Sequence, residues 1–257
     1  MSENQDLLLE RDGEVVTVIL NRPDARNALT FDMYSGLAEI CAAPPEGAKA
    51  IIVRGAGDKA FAAGTDIRQF RHFNTAGDAI NYEQKIDWVL DTIETCPVPT
   101  IAAISGACTG GGAMIAAVCD LRVCNSSLKF GFPIARTLGN TLSAQSLARL
   151  SALVGASRVR EIIFTSRLIE ADEAKQVGIV SEVLDGPSDL LSRAGDIARV
   201  LTTQAPLTLR ATKILQHRLL KQSVDDHDML LLCYQSDDFK HGLEAFLDKR
   251  KPEWKGE

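Results

Sequence analysis

Apolar and polar positions alternate from the start of the chain. In "LLLERDGEVVTVILNRP", Val16, Val18 and Leu20 alternate with Val15, Thr17 and Ile19, and Asp12-Gly13 supplies a turn. That pattern predicts a hairpin. Thr30 is placed to cap a helix over "FDMYSGLAEICA", which stops before Pro44-Pro45. "AIIVRG" reads as a short buried strand, and "GDKAFAAGTDIRQF" as a glycine-bearing loop leading into a helix. In "AGDAINYEQKIDWVLDTIETC", Ile80, Ile86, Val89, Leu90 and Ile93 fall on one helical face, and Cys96-Pro97-Val98-Pro99 ends the helix. "TIAAISG" is a strand, "GAMIAAVC" a helix, and Gly110 to Gly112 lie between them. "DLRVC" and "LKFGFP" are two further strands. Strand, loop and helix alternate through about two-thirds of the chain, so the expected class is α/β.

From Ser143 the pattern turns helical, interrupted by one short strand in "IVSEVL". Pro206 suits the first turn of the helix "PLTLRATKILQHRLL". The last two helices, around "DHDMLLLCYQ" and "DDFKHGLEAFLDKRK", carry many apolar residues for a terminal segment. They are expected to dock on the core or on another subunit.

The 257 residues suffice for one large domain or one domain with an appendage. Hydrophobic residues make up 46% and charged residues 24%, so a sizeable core can form. A net charge of −6 with both signs interspersed argues against a nucleic-acid surface. No apolar run is long enough for a membrane span. The six cysteines show no CxxC spacing, and the polar, acidic start predicts no secretory leader. Free thiols in a cytoplasmic protein are expected. The four histidines, His72, His217, His227 and His241, stand near no cysteine pair, so no metal site is expected.

The glycine run carries the chemistry. Glycines between a strand and a helix place backbone N–H groups at a helix N-terminus and let a ligand approach closely. The chain has no GxxxxGK[ST], no GxGxxG after a strand and no GxSxG, which sets aside the P-loop, dinucleotide and α/β-hydrolase readings. A pocket for an anion remains, or for an oxygen that becomes anionic. "FAAGTDI" repeats the grammar of strand, small residues and helix. If the N–H groups of Thr65 and Gly111 converge, they form an oxyanion hole.

The ordered segments "NRPDARNALT", "DKAFAAGTDI", "PTIAAISGACTGGGAMIAAVCDLRV", "LKFGFP", "SRLIEADEAKQVGIVSEV" and "FLDKRKPEW" span nearly the whole chain. In their order and spacing the chain resembles the crotonase superfamily, the enoyl-CoA hydratase/isomerase family. The resemblance implies a ββα spiral core over residues 1–195. A helical region over 196–257 would build homotrimers, often paired into hexamers. It implies a coenzyme A thioester as substrate and no permanently bound cofactor. Thr65 and Gly111 match the positions whose N–H groups hold the thioester carbonyl. Ala63 matches a backbone position near the CoA adenine. Arg22, Arg26, Lys249 and Lys251 are candidates for the CoA phosphates.

The resemblance also exposes a departure. Hydratases of the family carry two glutamates, one just after the glycine run and one after the proline of the later FG-x-P segment. Those positions hold Met114 and Ile134. Neither side chain can act as acid or base. His72, Arg136 and Asn140 are the polar candidates that remain nearby. Arg68 and Arg71 share the segment with His72, and Asp66 and Asp120 are expected to be structural. Three readings follow: an enoyl-CoA hydratase or isomerase; a decarboxylase or thioesterase on the same fold; and a catalytically silent acyl-CoA-binding protein.

Overall fold

The computed structural model of the chain describes residues 6–72, 75–222, 228, 232, 236–248, 250 and 252–257. Two sheets form its frame. The larger runs in the order β1(Leu7–Asp12), β2(Val15–Leu20), β3(Ala50–Gly55), β5(Thr100–Ile104), β7(Leu121–Asn125), β10(Glu182–Leu184). The smaller runs β4(Ala60–Ala62), β6(Ala107–Thr109), β8(Lys129–Gly131), β9(Ile169–Glu170). The β1–β2 hairpin turns at Gly13 and is antiparallel, as is β8–β9; the other ladders are parallel.

Three successive units each give their first strand to the large sheet and their second to the small one: β3–β4, β5–β6 and β7–β8. Helices follow each pair: α2(Ala76–Glu94), α3(Gly111–Val118) and α4(Ile134–Thr137). This is the expected ββα spiral. Three strands lie outside the sequence reading, the two-residue β9 among them. "AFA" is β4 rather than loop, and "TIAAISGACT" breaks into β5 and β6. The break falls at Gly106, whose φ of +66° suits glycine and where a Cβ would run into the Lys59 carbonyl.

The large sheet is covered on both faces. Ile51, Val53, Ala102 and Ile104 join the main core, together with α1(Phe31–Ala42), α2 and α3. Their neighbours Ala50, Ile52, Ile101 and Ala103 pack against Leu190, Ala194 and Ala198 of α8(Pro187–Thr202). Burial on alternating faces explains why these strands read as unbroken apolar runs. The domain boundary expected at 195/196 falls inside α8, a continuous helix seated on this sheet. On α2, Ile86, Val89, Leu90 and Ile93 are buried as expected, but Ile80 is exposed, six residues before the buried stripe begins.

The remaining helices are α5(Ala144–Val154), α6(Ala156–Thr165), α7(Ala171–Gln176) and α9(Pro206–Leu220). Helix α9 docks on the core through charge. Lys213 pairs with Asp120, which also accepts from the Thr100 amide (2.7 Å) and hydroxyl (2.9 Å). Asp120 is therefore structural. Arg149 of α5, with a side chain 2% exposed, pairs with Asp87, Asp91 and Glu94 of α2. His217 of α9 and Lys221, at its C-terminal cap, also reach Asp91. Asp91, Glu94 and His217 bring ligand atoms within 4.8 Å of one another, but Arg149 and Lys221 already balance their charge. A final helix, Asp237–Leu247, holds the C-terminal tail through Asp238, which accepts from the Lys255 and Gly256 amides. The expected helix around "DHDMLLLCYQ" lies almost wholly outside the described residues. Cys41, Cys96, Cys108, Cys119 and Cys124 are buried free thiols. No helix among the described residues is long and apolar enough to cross a membrane.

Asn27, fully buried with φ +55°, ties the N-terminal turn to the first strand corner. Its Oδ1 accepts from the Arg22 amide (3.0 Å), and its Nδ2 donates to the Ala56 (3.0 Å) and Ala60 (2.7 Å) carbonyls. At about 1 kcal/mol per bond, with added strain for alanine at positive φ, Asn27→Ala should cost about 3 kcal/mol in denaturant unfolding. A loss below about 1 kcal/mol would show that these bonds contribute little net stability.

Candidate active site

The pairing of β4 with β6 brings the two glycine-bearing loops side by side, in the register Ala60↔Ala107 and Ala62↔Cys108. The loops then touch through bare backbone. A Cβ on Gly110 would sit 3.6 Å from the Gly64 Cα, and one on Gly64 would sit 3.5 Å from the Thr109 carbonyl. A Cβ on Gly112 would collide with Ala62. A Cβ on Gly111 would overlap the Tyr34 hydroxyl and lie 3.2 Å from Thr65 Oγ1. Gly111 and Gly112 are needed for close approach, and Gly110 for its φ of +53°.

Both loops are fixed from outside. Leu29 bridges to the first loop, donating to the Gly64 carbonyl and accepting from the Asp66 amide, both at 2.8 Å. The Thr65 amide takes no part in this bridge. The Gly110 amide donates to the Gly131 carbonyl at 3.0 Å, which lays the segment carrying Ile134 alongside the glycine run. Gly111 opens α3, so its N–H is one of those that no carbonyl of the helix reaches.

Asp66 is buried. It accepts from the Arg68 side chain (2.9 and 2.6 Å), from the Arg68 amide (3.2 Å) and from Arg22 (3.1 Å). The Arg68 hydrogen bonds, outweighing burial, hold its carboxyl well below the usual 3.8. A carboxyl with a lower pKa folded than unfolded adds stability above the unfolded value and loses it as pH falls. Asp66 thus caps the segment Ile67–His72 that follows, a 3-10 helix where the sequence predicts a helix.

The hydroxyl neighbourhood was not foreseen. Thr65 Oγ1 lies 2.9 Å from the Tyr34 hydroxyl and 2.9 Å from the Tyr82 hydroxyl. Tyr34 comes from α1 and is 1% exposed; Tyr82 comes from α2 and stacks edge-on against Phe70. Burial pushes both phenols up, Tyr82 to about 12. Glu83, half-buried beside Tyr82, is pushed up by burial and then by Asp87. In the sequence, Tyr34 shares a helix face with Leu37 and Cys41 and reads as core.

The expected residues divide as follows. Thr65 and Gly111 are brought together. Met114 is buried one turn into α3, and its N–H bonds to the Gly110 carbonyl (3.0 Å). Ile134 is buried at the start of α4. Arg136 and Asn140 are exposed beyond it. Ala63 donates to the Arg26 carbonyl at 3.0 Å, so these two candidates are neighbours. Arg22 is engaged inward by Asp66 and by the Ala28 carbonyl (2.6 Å). The side chain of His72, and all of Lys249 and Lys251, lie outside the described residues.

The enoyl-CoA hydratase/isomerase profile matches residues 10–257. The chain belongs to the enoyl-CoA hydratase/isomerase family. Within this crotonase superfamily, it is 33% identical to a short-chain-enoyl-CoA hydratase of Clostridium acetobutylicum, with 98% of each chain covered. It is 32% identical to a crotonyl-CoA hydratase of Syntrophomonas wolfei, with 96% of each covered. Among solved structures, an enoyl-CoA hydratase/carnithine racemase from Magnetospirillum magneticum superposes with a TM-score of 0.88. That pair shares 36% identity and covers 98% of this chain and 96% of that one. The family thus accounts for the spiral; the glycine-bearing loops and the Tyr34–Thr65–Tyr82 contact are read from this chain's own geometry.

The collision at Gly111 is directly testable. Gly111→Ala should destabilise the protein by about 1–3 kcal/mol through overpacking. Tyr34→Phe removes the overlapped oxygen, leaving the Cζ carbon 3.1 Å from the new methyl. The double variant should therefore be more stable than the sum of the single changes predicts, as thermal unfolding would show. Additive losses would mean that the loop has moved elsewhere.

Proposed function

We propose that the protein is an acyl-CoA enzyme whose Thr65 and Gly111 amides hold the thioester carbonyl and stabilise its enolate. One observation carries this reading: two glycine-bearing loops meet at Gly64, Gly110 and Gly111, with both amides outside the hydrogen bonds that fix the loops. Donors preset at the site of developing charge lower the barrier without reorganising, and losing one typically costs on the order of 10²–10³ in rate. Arg26 and Ala63 mark the CoA side of the site. Arg22 serves by holding Asp66, and Lys249 and Lys251 remain candidates for the CoA phosphates. The chain would act as a homotrimer or a dimer of trimers in the cytoplasm, with no permanent cofactor.

The named relatives favour hydration of a short enoyl-CoA. A second reading rests on Met114 and Ile134, both buried and apolar at the two glutamate positions. Hydration needs a base for water and an acid for the α-carbon. Decarboxylation needs no such base: the bond from the α-carbon to the carboxylate breaks, CO₂ leaves, and the electron pair passes into the enolate. A proton then returns to the carbon. His72, Arg136 and Asn140 are the polar residues offered to either reaction, Arg136 suiting a carboxylate.

Crotonyl-CoA and longer enoyl-CoAs separate the readings by loss of the conjugated double bond, and malonyl-type CoA esters by release of CO₂. Turnover of the first set is the expected result. Turnover of the second alone would replace it with a decarboxylase, and release of free CoA alone with a thioesterase. Binding without any turnover would leave an acyl-CoA-binding protein. Met114→Glu with Ile134→Glu should raise crotonyl-CoA hydration, since positioned acid–base groups contribute about 10²–10⁴-fold. No gain in a folded double variant would show that the pocket departs from a hydratase beyond those two side chains.

A further inference from the structure

The side chain of Thr65 lies in an unusual position for a residue valued for its backbone. Its oxygen sits between two tyrosine hydroxyls at 2.9 Å each, contributed by two different helices. It also lies 3.2 Å from the point where a Cβ on Gly111 would be. The oxygen therefore lies beside Gly111, the residue that opens the second loop's helix.

Either oxygen of each contact could be the donor, and acidity argues for the phenols. A phenol is a stronger donor than an aliphatic alcohol, and a threonine oxygen has two lone pairs and one proton. Both tyrosines donating to Thr65 fills its lone pairs and leaves the Thr65 proton as the outgoing donor. Hydrogen bonds received by a hydroxyl also strengthen the one it gives.

We propose that the Thr65 hydroxyl is a third donor to the thioester oxygen, beside the Thr65 and Gly111 amides. Tyr34 and Tyr82 are the positioning residues that aim it. This rests on the enolate-stabilising reading above and adds to it. The ligand class is a thioester that becomes an enolate. The hydroxyl donates to the oxygen and takes no proton from carbon, so it serves any of the enolate reactions equally. Burial keeps both phenols protonated well into the alkaline range, which preserves the arrangement. The aromatic contacts of Tyr82 with Phe70 and Phe31 hold the ring in place from the other side.

The test reads carbonyl polarisation without requiring turnover. A conjugated arylacryloyl-CoA ester absorbs at longer wavelength when its carbonyl oxygen accepts hydrogen bonds. The wild type, Thr65→Ser, Tyr82→Phe, and Thr65→Val with Tyr34→Phe would each be titrated with it. The last pair removes both partners of the most buried bond, and Tyr82→Phe measures separately the loss of the second contact to Thr65. Thr65→Ser should keep the wild-type shift. Thr65→Val/Tyr34→Phe should bind the ester yet lose most of the shift, and kcat on any ester turned over should fall about 10- to 100-fold with KM little changed. Tyr82→Phe should give a smaller loss of the same kind. A wild-type shift and kcat in Thr65→Val/Tyr34→Phe would overturn the proposal. If that variant does not fold, an unchanged shift in Tyr82→Phe overturns it. A wild type that binds the ester with no shift at all would remove the two-amide reading itself, and this inference with it.

Discussion

The site depends on one constraint: two backbones must pass each other with no Cβ between them. The parallel pairing of β4 with β6 sets their separation; glycine at 111 and 112 leaves the space, and glycine at 64 and 110 takes the positive φ of the turns. The rest of the molecule supports that pairing. The large sheet carries the first strand of each unit, and a buried polar ladder turns the chain into the second. Ser105 donates to the Asp58 carbonyl, Asn125 to Ser105, and the Gly106 amide to Ser127. Each corner is therefore tied to the next. A shift in one spiral turn would be felt at the loops that follow it.

Much of this was legible in the sequence. The hairpin, α1 with its Thr30 cap, β3 and α2 follow from periodicity and capping, because their side chains decide their local structure. The meeting of the Thr65 and Gly111 loops followed from a repeated strand, small-residue, helix grammar. The corners did not follow. Three-residue strands such as β4 and β6 carry too few positions for a period, and their partners are far away in sequence. The Thr65 hydroxyl contacts were hidden for a similar reason. Tyr34 and Tyr82 look like ordinary residues of amphipathic helices until tertiary packing brings α1 and α2 to one oxygen.

Charge plays a supporting part away from the loops. Arg149 is almost wholly buried among three carboxylates of α2, an arrangement whose value lies in completeness more than in any single pair. With His217 and Lys221 it fastens α5 and α9 to the C-terminal half of α2. The N-terminal half of that helix carries Tyr82 and is positioned by aromatic packing instead. One helix thus joins the scaffold's ionic clamp to the hydroxyls beside the candidate hole.

The glycine contacts also bear on how such a protein can change over time. Gly111 and Gly112 are locked in by collisions that any larger residue would cause, so those positions have almost no freedom to vary. Positions 114 and 134 sit in the first turns of helices, where most side chains are compatible with the same backbone. Inheritance can therefore swap the chemical equipment at these two points while the carbonyl-binding frame stays fixed. One scaffold becomes open to several reactions that share an intermediate, and an ancestral activity can be lost without loss of the fold.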